Sequence, residues 1–165
     1  MKDIKLNLGC CSFKLPDFFN IDIDPSFKPD ICLDLKNLDT AFEQNSVDFI
    51  FAGHIFEHFN IDDSLLVMRH CKNILKPFRM MMVVVPDYTK CLDLPIEKAE
   101  DIIMAKGDHK MLYNSIRLSS MLKQVGFTNV IPIQDLKEVP FLVVPDVNNP
   151  IPEKWQTAFL SFSLF

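Results

Sequence analysis

Glycine is scarce in this chain, with four among 165 residues, where an average usage of about 7% would give about eleven or twelve. Because glycine supplies positive φ angles and allows close backbone approach, each glycine marks a candidate tight turn. The four are Gly9, Gly53, Gly107 and Gly126. Three of them fall at the ends of predicted strands or helices.

Long apolar runs, basic clusters and paired cysteines are missing too. The longest apolar run, residues 80–85, is too short to cross a bilayer. Three of 17 cations are arginine and the formal net charge is −5, which disfavours nucleic acid as a partner. Five cysteines without a C-x-x-C pair fit neither a zinc finger nor a disulfide framework. At the start of the chain, charged residues interleave with apolar ones, unlike a secretory leader. We therefore expect one cytoplasmic domain over residues 1–165, without membrane contact.

Apolar runs that end at glycine or aspartate alternate with helical periodicity. Strands are predicted at residues 4–8, 18–23, 30–33, 47–52, 79–85, 129–134 and 157–165. Helices are predicted over residues 62–75, with N-cap candidates at residues 62–64, over residues 95–104, and over residues 114–126, with Asn114 as the N-cap candidate. A proline-rich connection is predicted over residues 140–152. The ten-residue connection after the first strand is too short for a full helix. This order predicts an α/β, Rossmann-like doubly wound fold, with a mostly parallel sheet, helices on both faces and an antiparallel C-terminal strand.

In such sheets the ligand lies beyond the carboxyl ends of the strands, where the strand order reverses. Gly9, Asp22, Asp34 and the Gly53–His54 corner all follow or end a predicted strand. A carboxylate at the position of Asp22 accepts hydrogen bonds from both hydroxyls of a ribose in nucleoside-binding folds. The alternative is a solvated aspartate in a tight turn.

Several segments in order resemble the class I S-adenosylmethionine-dependent methyltransferases. LNLGC at 6–10 is similar to that family's glycine-bearing first motif, and NIDID at 20–24 to its ribose-binding strand end. DICLDLKNL at 30–38 resembles the segment that flanks the adenine, and NSVDFIFAGHIFEHF at 45–59 the fourth strand with its trailing E-H. ILKP at 74–77, VVVPD at 83–87 and residues 109–127 match later segments. The resemblance implies a methyltransferase that uses S-adenosylmethionine and acts on an unspecified acceptor by direct methyl transfer.

Position by position, the resemblance also implies a cofactor site. Gly9, Cys10 and Cys11 would lie at the methionine end, and Asp22 would hold the ribose hydroxyls. The adenine would be flanked by three residues, Ile23, Asp34 and Leu35. Gly53 and His54 would close the pocket from the fourth strand.

Two departures from the family pattern concern glycine. The family's second motif glycine is here Cys11, and its K-P-G-G-R turn reads Lys76-Pro77-Phe78-Arg79. A Cβ at position 11 is expected either to crowd the cofactor or to oppose a positive φ angle. A non-catalytic binding module with this fold is therefore the alternative to an enzyme.

The segment His54-Ile55-Phe56-Glu57-His58 matches H-x-x-E-H, the inverted zinc-protease signature. That signature needs a helix and a third ligand, whereas this segment directly follows a strand. A metallohydrolase is thus the third hypothesis, and no metal is expected. Glu57 and His58 either orient the methyl acceptor or form a helix start that faces solvent or the mouth of the pocket. His109 is a candidate acceptor contact from a covering loop, since loops often carry functional residues.

Overall fold

The computed structural model describes residues 3–92 and 94–132, together with the backbone of residues 139–144. The strands are β1 (Lys5–Leu8), β2 (Phe19–Asp22), β3 (Ile31–Cys32), β4 (Val47–Gly53), β5 (Leu75–Val85), β6 (Asn129–Pro132) and β7 (Val139–Val144). The α-helices are α1 (Leu38–Ala41), α2 (Ile61–Ile74), α3 (Tyr88–Cys91), α4 (Ile96–Met104) and α5 (Ser115–Gln124). Among the described residues, no helix is long and apolar enough to span a membrane.

One seven-stranded sheet has the order β3-β2-β1-β4-β5-β7-β6. The pairs among β1 to β5 are parallel, and β7 runs antiparallel to both β5 and β6. The α/β doubly wound fold predicted from the sequence is confirmed. The antiparallel strand, however, is β7, in a segment where the sequence predicted the start of a proline-rich connection. The strand predicted at residues 157–165 lies outside the described residues.

Alternation along the central strands divides the core into two clusters. Ile50 and Val83 belong to the larger cluster, which α1, α2 and α5 cover with residues such as Leu122. Their strand neighbours Phe49 and Met82 point to the opposite face and form the smaller cluster. That cluster also contains residues of the β1–β2 connection: Leu15, with Phe18 packed beside it.

The β1–β2 connection contains no helix, as its length predicted. Its backbone is fixed by the buried side chain of Asn20. The Oδ1 atom of Asn20 accepts hydrogen bonds from the Leu15 N–H at 2.8 Å and from Asn7 Nδ2 at 2.9 Å. The hydrogen bonds of one buried amide thus hold a connection that has no helix of its own.

The predicted helices form with small differences at their ends. Asn114 caps α5 as predicted, because its Oδ1 accepts a 2.9 Å hydrogen bond from the Arg117 N–H. Helix α2 is capped by Asn60, which accepts from the Asp63 N–H at 2.9 Å, rather than by the candidates at residues 62–64.

β5 begins at Leu75, four residues before the predicted start, because the chain bulges where α2 meets the sheet. Leu75 pairs with Val47 and Met80 with Phe49. The residues of β5 between Leu75 and Met80 therefore have no paired residue in the register with β4. Within this bulge Phe78 has a φ angle of 62°. The family's turn glycine is therefore absent, but the backbone conformation that favours glycine is retained.

Candidate functional site

The carboxyl ends of β1, β2 and β4 form one edge of the sheet. β1 has β2 on one side and β4 on the other, so the direction of chain progression reverses at β1. This is the switch point at which open α/β sheets bind ligands. The predicted site residues at the ends of these three strands therefore share one edge.

Gly9 makes the turn out of β1 with a φ angle of 65°. A Cβ at this position would lie 2.6 Å from the Ile55 side chain, so a larger residue would meet both strain and a clash. The next residue, Cys10, is buried, and its N–H donates to the Ile21 carbonyl at 3.0 Å. The turn is thus tied to β2.

Cys11 has a φ angle of 43°, so this non-glycine residue adopts the left-handed conformation. The sequence predicted that a Cβ at this position would either crowd the cofactor or oppose a positive φ angle. The φ angle is positive despite the Cβ. Left-handed backbone costs a residue with a Cβ about 1–2 kcal/mol. The conformation directs the Cys11 N–H to Asp22 Oδ2 at 2.8 Å and leaves the side chain exposed.

The Asp22 carboxylate ends β2 and is 6% exposed. Its Oδ2 accepts from the Cys11 N–H and its Oδ1 accepts from the Asp24 N–H at 2.9 Å. A carboxylate has about four acceptor positions, two on each oxygen. Each oxygen of Asp22 can therefore accept one more hydrogen bond, which matches the two hydroxyls of a ribose. The neighbouring Ile23 side chain is 63% exposed and offers an apolar surface at the same edge.

Asp34 follows β3 at this same edge. The Leu33 N–H donates to the Asp22 carbonyl at 2.9 Å, which joins the two strand ends. The Asp34 carboxylate caps the 3₁₀ helix Leu35–Asn37 by accepting from the Lys36 N–H at 3.0 Å. Leu35 is buried in the larger core cluster, so only its backbone remains for the predicted adenine contact.

Gly53 and His54 form the corner after β4. The His54 N–H donates to the Val84 carbonyl at 2.9 Å, and its φ angle is 53°. A Cβ at Gly53 would lie 2.7 Å from the Phe51 ring. The His54 Nδ1 atom lies 3.0 Å from Glu57 Oε1, which fixes the imidazole beside the corner.

The H-x-x-E-H segment does not form the helix that its zinc-protease signature requires. Residues 54–58 contain only a 3₁₀ helix, Phe56–His58, and His54 lies outside it. Glu57 is 1% exposed, and its Oε2 has no hydrogen-bond partner in the described part of the chain. Glu57 is thus not part of a solvated helix start.

His58 and His109 come together beside Glu57. Their ring centroids are 5.0 Å apart with an interplanar angle of 77°. His58 Nδ1 lies 3.1 Å from Asp108 Oδ2, and His109 Nδ1 lies 3.1 Å from the Ile103 carbonyl oxygen. The three acceptor-contact candidates therefore form one cluster. Sequence reasoning missed Asp108, although it directly precedes His109.

The cysteines at the β1 turn are poor nucleophiles. Partial desolvation of the sulfur atoms and the nearby Asp22 carboxylate raise the pKa values of both the Cys10 and Cys11 thiols. Because the thiolate is the reactive form, raised pKa values keep both thiols protonated near neutral pH. Both cysteines are therefore structural or contact residues.

A family model described as a methyltransferase domain matches residues 16–80. This range includes β2, β3, β4 and α2, and hence Asp22 and the H-x-x-E-H segment. No curated protein sequence matches the chain.

Solved structures with the same fold are numerous. A SAM-dependent methyltransferase from Archaeoglobus fulgidus is 13% identical, with a TM-score of 0.69 and 86% of each chain covered. A SAM-dependent methyltransferase from Thermotoga maritima is 14% identical, with a TM-score of 0.68, over 88% of this chain and 84% of that one. A chain of the complex between the Trm112 methyltransferase activator of Haloferax volcanii and a methyltransferase is 13% identical, with a TM-score of 0.65, over 91% and 85%.

These comparisons agree with the strand order and with the motifs in the sequence. The cofactor that such a family implies is S-adenosylmethionine, and the positive φ at Gly9 and the open acceptor positions of Asp22 fit its nucleoside. The resemblance to the class I S-adenosylmethionine-dependent methyltransferases is thereby confirmed, and the chain has their fold.

Proposed function

We propose that this protein binds S-adenosylmethionine at the β1–β2–β4 edge and transfers its methyl group to an acceptor. The observation that carries the proposal is the Asp22 carboxylate, which is oriented by two backbone N–H groups and keeps one acceptor position on each oxygen. A buried carboxylate at the end of β2, beside a glycine turn, is the arrangement that recognises ribose in nucleoside-binding folds.

The residues around Asp22 would each contact a different part of the cofactor. Gly9, Cys10 and Cys11 form the turn at which the methionine end would lie. The exposed Ile23 side chain would cover one face of the adenine. Asp34 would accept a hydrogen bond from the adenine amino group, and the Leu35 backbone would contact the ring.

The corner after β4 would complete the site. Gly53 and His54 would close the pocket near the sulfonium, with the His54 ring held by Glu57 at 3.0 Å. Glu57, His58 and His109 would face the methyl acceptor, because Glu57 and His58 follow the corner and His109 joins them in one cluster.

S-adenosylmethionine supplies an electrophilic methyl group on a sulfonium. In the proposed transfer, a lone pair of the acceptor forms the bond to the methyl carbon while the carbon–sulfur bond breaks. The electron pair of that bond stays on sulfur, which becomes a neutral thioether, and the acceptor's proton passes to solvent or to a nearby base. The chain contributes mainly by holding donor and acceptor in line, since proximity supplies much of the acceleration in such reactions.

The test is a thermal unfolding titration of the full chain with S-adenosylmethionine and S-adenosylhomocysteine. At a ligand concentration one hundred times Kd, linkage gives about 2.7 kcal/mol of stabilisation. For a chain of this size that raises Tm by about 5–10 °C. Absence of a shift with both ligands would favour the non-catalytic binding module.

Asp22→Asn and Asp48→Asn form a matched pair for this titration. Both aspartates are 6% exposed, but Asp48 lies near the opposite end of the strands, at the start of β4. Asp22→Asn is expected to weaken ligand binding at least tenfold, since hydrogen bonds to a charged acceptor contribute about 1.5–3 kcal/mol each. Asp48→Asn is expected to lower the starting Tm and to leave the ligand-induced shift intact. Equal loss of the shift in both variants would contradict the assignment of Asp22.

We also propose that the protein works in the cytoplasm as a single domain. All five cysteines are free, including the buried Cys71 and Cys91, which suits a reducing compartment. An intact free-thiol count in protein purified from the cytoplasm, at all five positions, is the corresponding check.

A further inference from the structure

Glu57 is a buried carboxylate whose hydrogen bonding is incomplete. Its side chain is 1% exposed, and Oε1 is occupied by His54 Nδ1 at 3.0 Å. Oε2 has no hydrogen-bond partner among the described residues. An unsatisfied buried carboxylate oxygen is costly, so a group that satisfies it is expected at this position.

His58 and His109 each have one ring nitrogen, Nδ1, next to an acceptor of the chain. A carbonyl oxygen can only accept, so His109 Nδ1 must donate its proton to Ile103, which leaves a lone pair on Nε2. The Asp108 carboxylate fixes His58 in the same way through Nδ1. Metal-bound histidines in proteins commonly have this arrangement, with the second ring nitrogen bound to a carboxylate or a carbonyl.

The three side chains are close enough to share one ion. One candidate ligand atom from each of Glu57, His58 and His109 lies within 4.8 Å of the others. Glu57 also anchors the loop that carries His109, because its carbonyl accepts from the Lys110 N–H at 2.7 Å and the Met111 N–H at 3.1 Å. The cluster therefore depends on backbone contacts and not only on side-chain rotamers.

A small cavity adjoins the cluster. Glu57 and His109 line it together with Tyr88 and apolar neighbours, and it has room for about one water molecule. Additional ligands such as water or an acceptor oxygen therefore have space beside the cluster.

We propose that Glu57, His58 and His109 form a binding site for a first-row divalent transition-metal ion of the Zn²⁺ type, with coordination positions left open. Two imidazoles and one carboxylate suit such ions better than Mg²⁺ or Ca²⁺, which prefer oxygen ligands alone. A site with three protein ligands and an open position is also the arrangement of catalytic zinc centres. This assignment differs from the H-x-x-E-H zinc signature, because His54 bonds to Glu57 and His109 takes its place among the ligands.

The role of the ion in the reaction rests on the proposed methyltransferase function. The ion would lie beside the β4 corner, where the methyl acceptor is expected. There it would bind an oxygen of the acceptor and lower the pKa of a hydroxyl group, so that the proton leaves more readily before methyl transfer. The acceptor would then be a molecule with a hydroxyl or carboxylate group that can bind a metal.

The experiment uses the full chain without a histidine tag, freed of metal by chelator dialysis and titrated with Co²⁺ as the spectroscopic probe and with Zn²⁺ in competition. We expect one equivalent of Co²⁺ to bind, to be displaced by Zn²⁺ and to raise Tm. The absorption spectrum is expected to show nitrogen and oxygen ligation without an intense thiolate charge-transfer band. Absence of saturable binding, or a thiolate band that indicates binding at the cysteines, would overturn the proposal.

Variants localise the ion. His109→Gln and Glu57→Gln are each expected to weaken Co²⁺ binding at least tenfold. His70→Gln is the matched control, because His70 also pairs with a carboxylate, Asp39 at 3.2 Å, but lies outside the cluster. Equal weakening in the control and in the cluster variants would refute the assignment.

Asp108→Asn keeps the test valid if Glu57→Gln does not fold. The Asp108 side chain is 74% exposed, so its replacement leaves the core unchanged. As a positioning residue it is expected to weaken Co²⁺ binding by about 10–100-fold. Unaltered affinity in both Asp108→Asn and His109→Gln would overturn the site.

The two proposals fail separately. Co²⁺ binding is measured without S-adenosylmethionine, and cofactor binding is measured on the metal-free chain. Metal binding without cofactor binding would refute the methyltransferase and leave the cation site standing, whereas the reverse result would refute the cation site alone.

Discussion

Cys11→Gly tests whether the left-handed turn of this chain carries a cost that a glycine would remove. The φ angle of 43° costs a residue with a Cβ about 1–2 kcal/mol. A glycine at this position offsets part of that gain, because its greater conformational freedom in the unfolded chain destabilises the folded state by about 0.5–1 kcal/mol. The difference predicts a stabilisation of about 0.5 kcal/mol, which is a rise in Tm of about 1–2 °C. The hydrogen bond from residue 11 to Asp22 is retained, because it uses the backbone N–H.

The same substitution is expected to tighten the binding of S-adenosylmethionine. If the cofactor has to push aside the Cβ of Cys11 when it binds, the free energy of binding becomes less favourable by about 1 kcal/mol. That corresponds to about fivefold in Kd. The measurement is a binding titration of the wild type and of Cys11→Gly. Cys11→Ser keeps a Cβ and is expected to bind like the wild type.

Phe78→Gly is the matched control for the backbone effect. Phe78 has a φ angle of 62° and a side chain that is 57% exposed, and it lies in the β5 bulge, in the part of β5 that precedes the central pairing. Relief of the same strain is expected to change Tm by about as much, without any change in cofactor affinity. Unchanged or weaker binding in Cys11→Gly, or equal tightening in Phe78→Gly, would refute the crowding explanation.

Two further predictions concern stability. Burial acts to raise the pKa of Asp48, but the 2.6 Å hydrogen bond from Lys76 and the bond from the Ile4 N–H lower it overall. The stabilisation from this lowered pKa is fully present above the ordinary value of 3.8 and is lost as the pH falls through the folded value. Asp48→Asn is therefore expected to lower the free energy of unfolding by about 1–2 kcal/mol at pH 7, a figure reduced for the 40% exposure of Lys76. Below about pH 4 the loss is expected to be smaller. Denaturant titrations at both pH values measure the difference. A loss that does not depend on pH would contradict this account. Asn114→Ala removes the cap of α5 and is expected to lower Tm by about 2–4 °C, at about 1 kcal/mol, without changing ligand binding; an unchanged Tm would show that the cap contributes nothing.

The sequence by itself determined the order and type of most elements, because these depend on local chemistry. A nearly continuous apolar run that ends at Gly53 specified β4, and helical spacing with the Asn114 cap specified α5. The acidic residue at the end of β2 was predictable for the same reason. Its strand, its neighbours and its following turn are all encoded within a few residues.

The tertiary structure decided the features that depend on contacts between distant segments. β7 forms where prolines suggested a connection, because β5 and β6 supply hydrogen-bond partners on both of its sides. The turn at Cys11 keeps its left-handed conformation because the Asp22 carboxylate, eleven residues away, accepts its N–H. His109 reaches Glu57 through backbone bonds across more than fifty residues. No local pattern contains that pairing, because it becomes favourable only once the sheet has brought the two loops to the same edge.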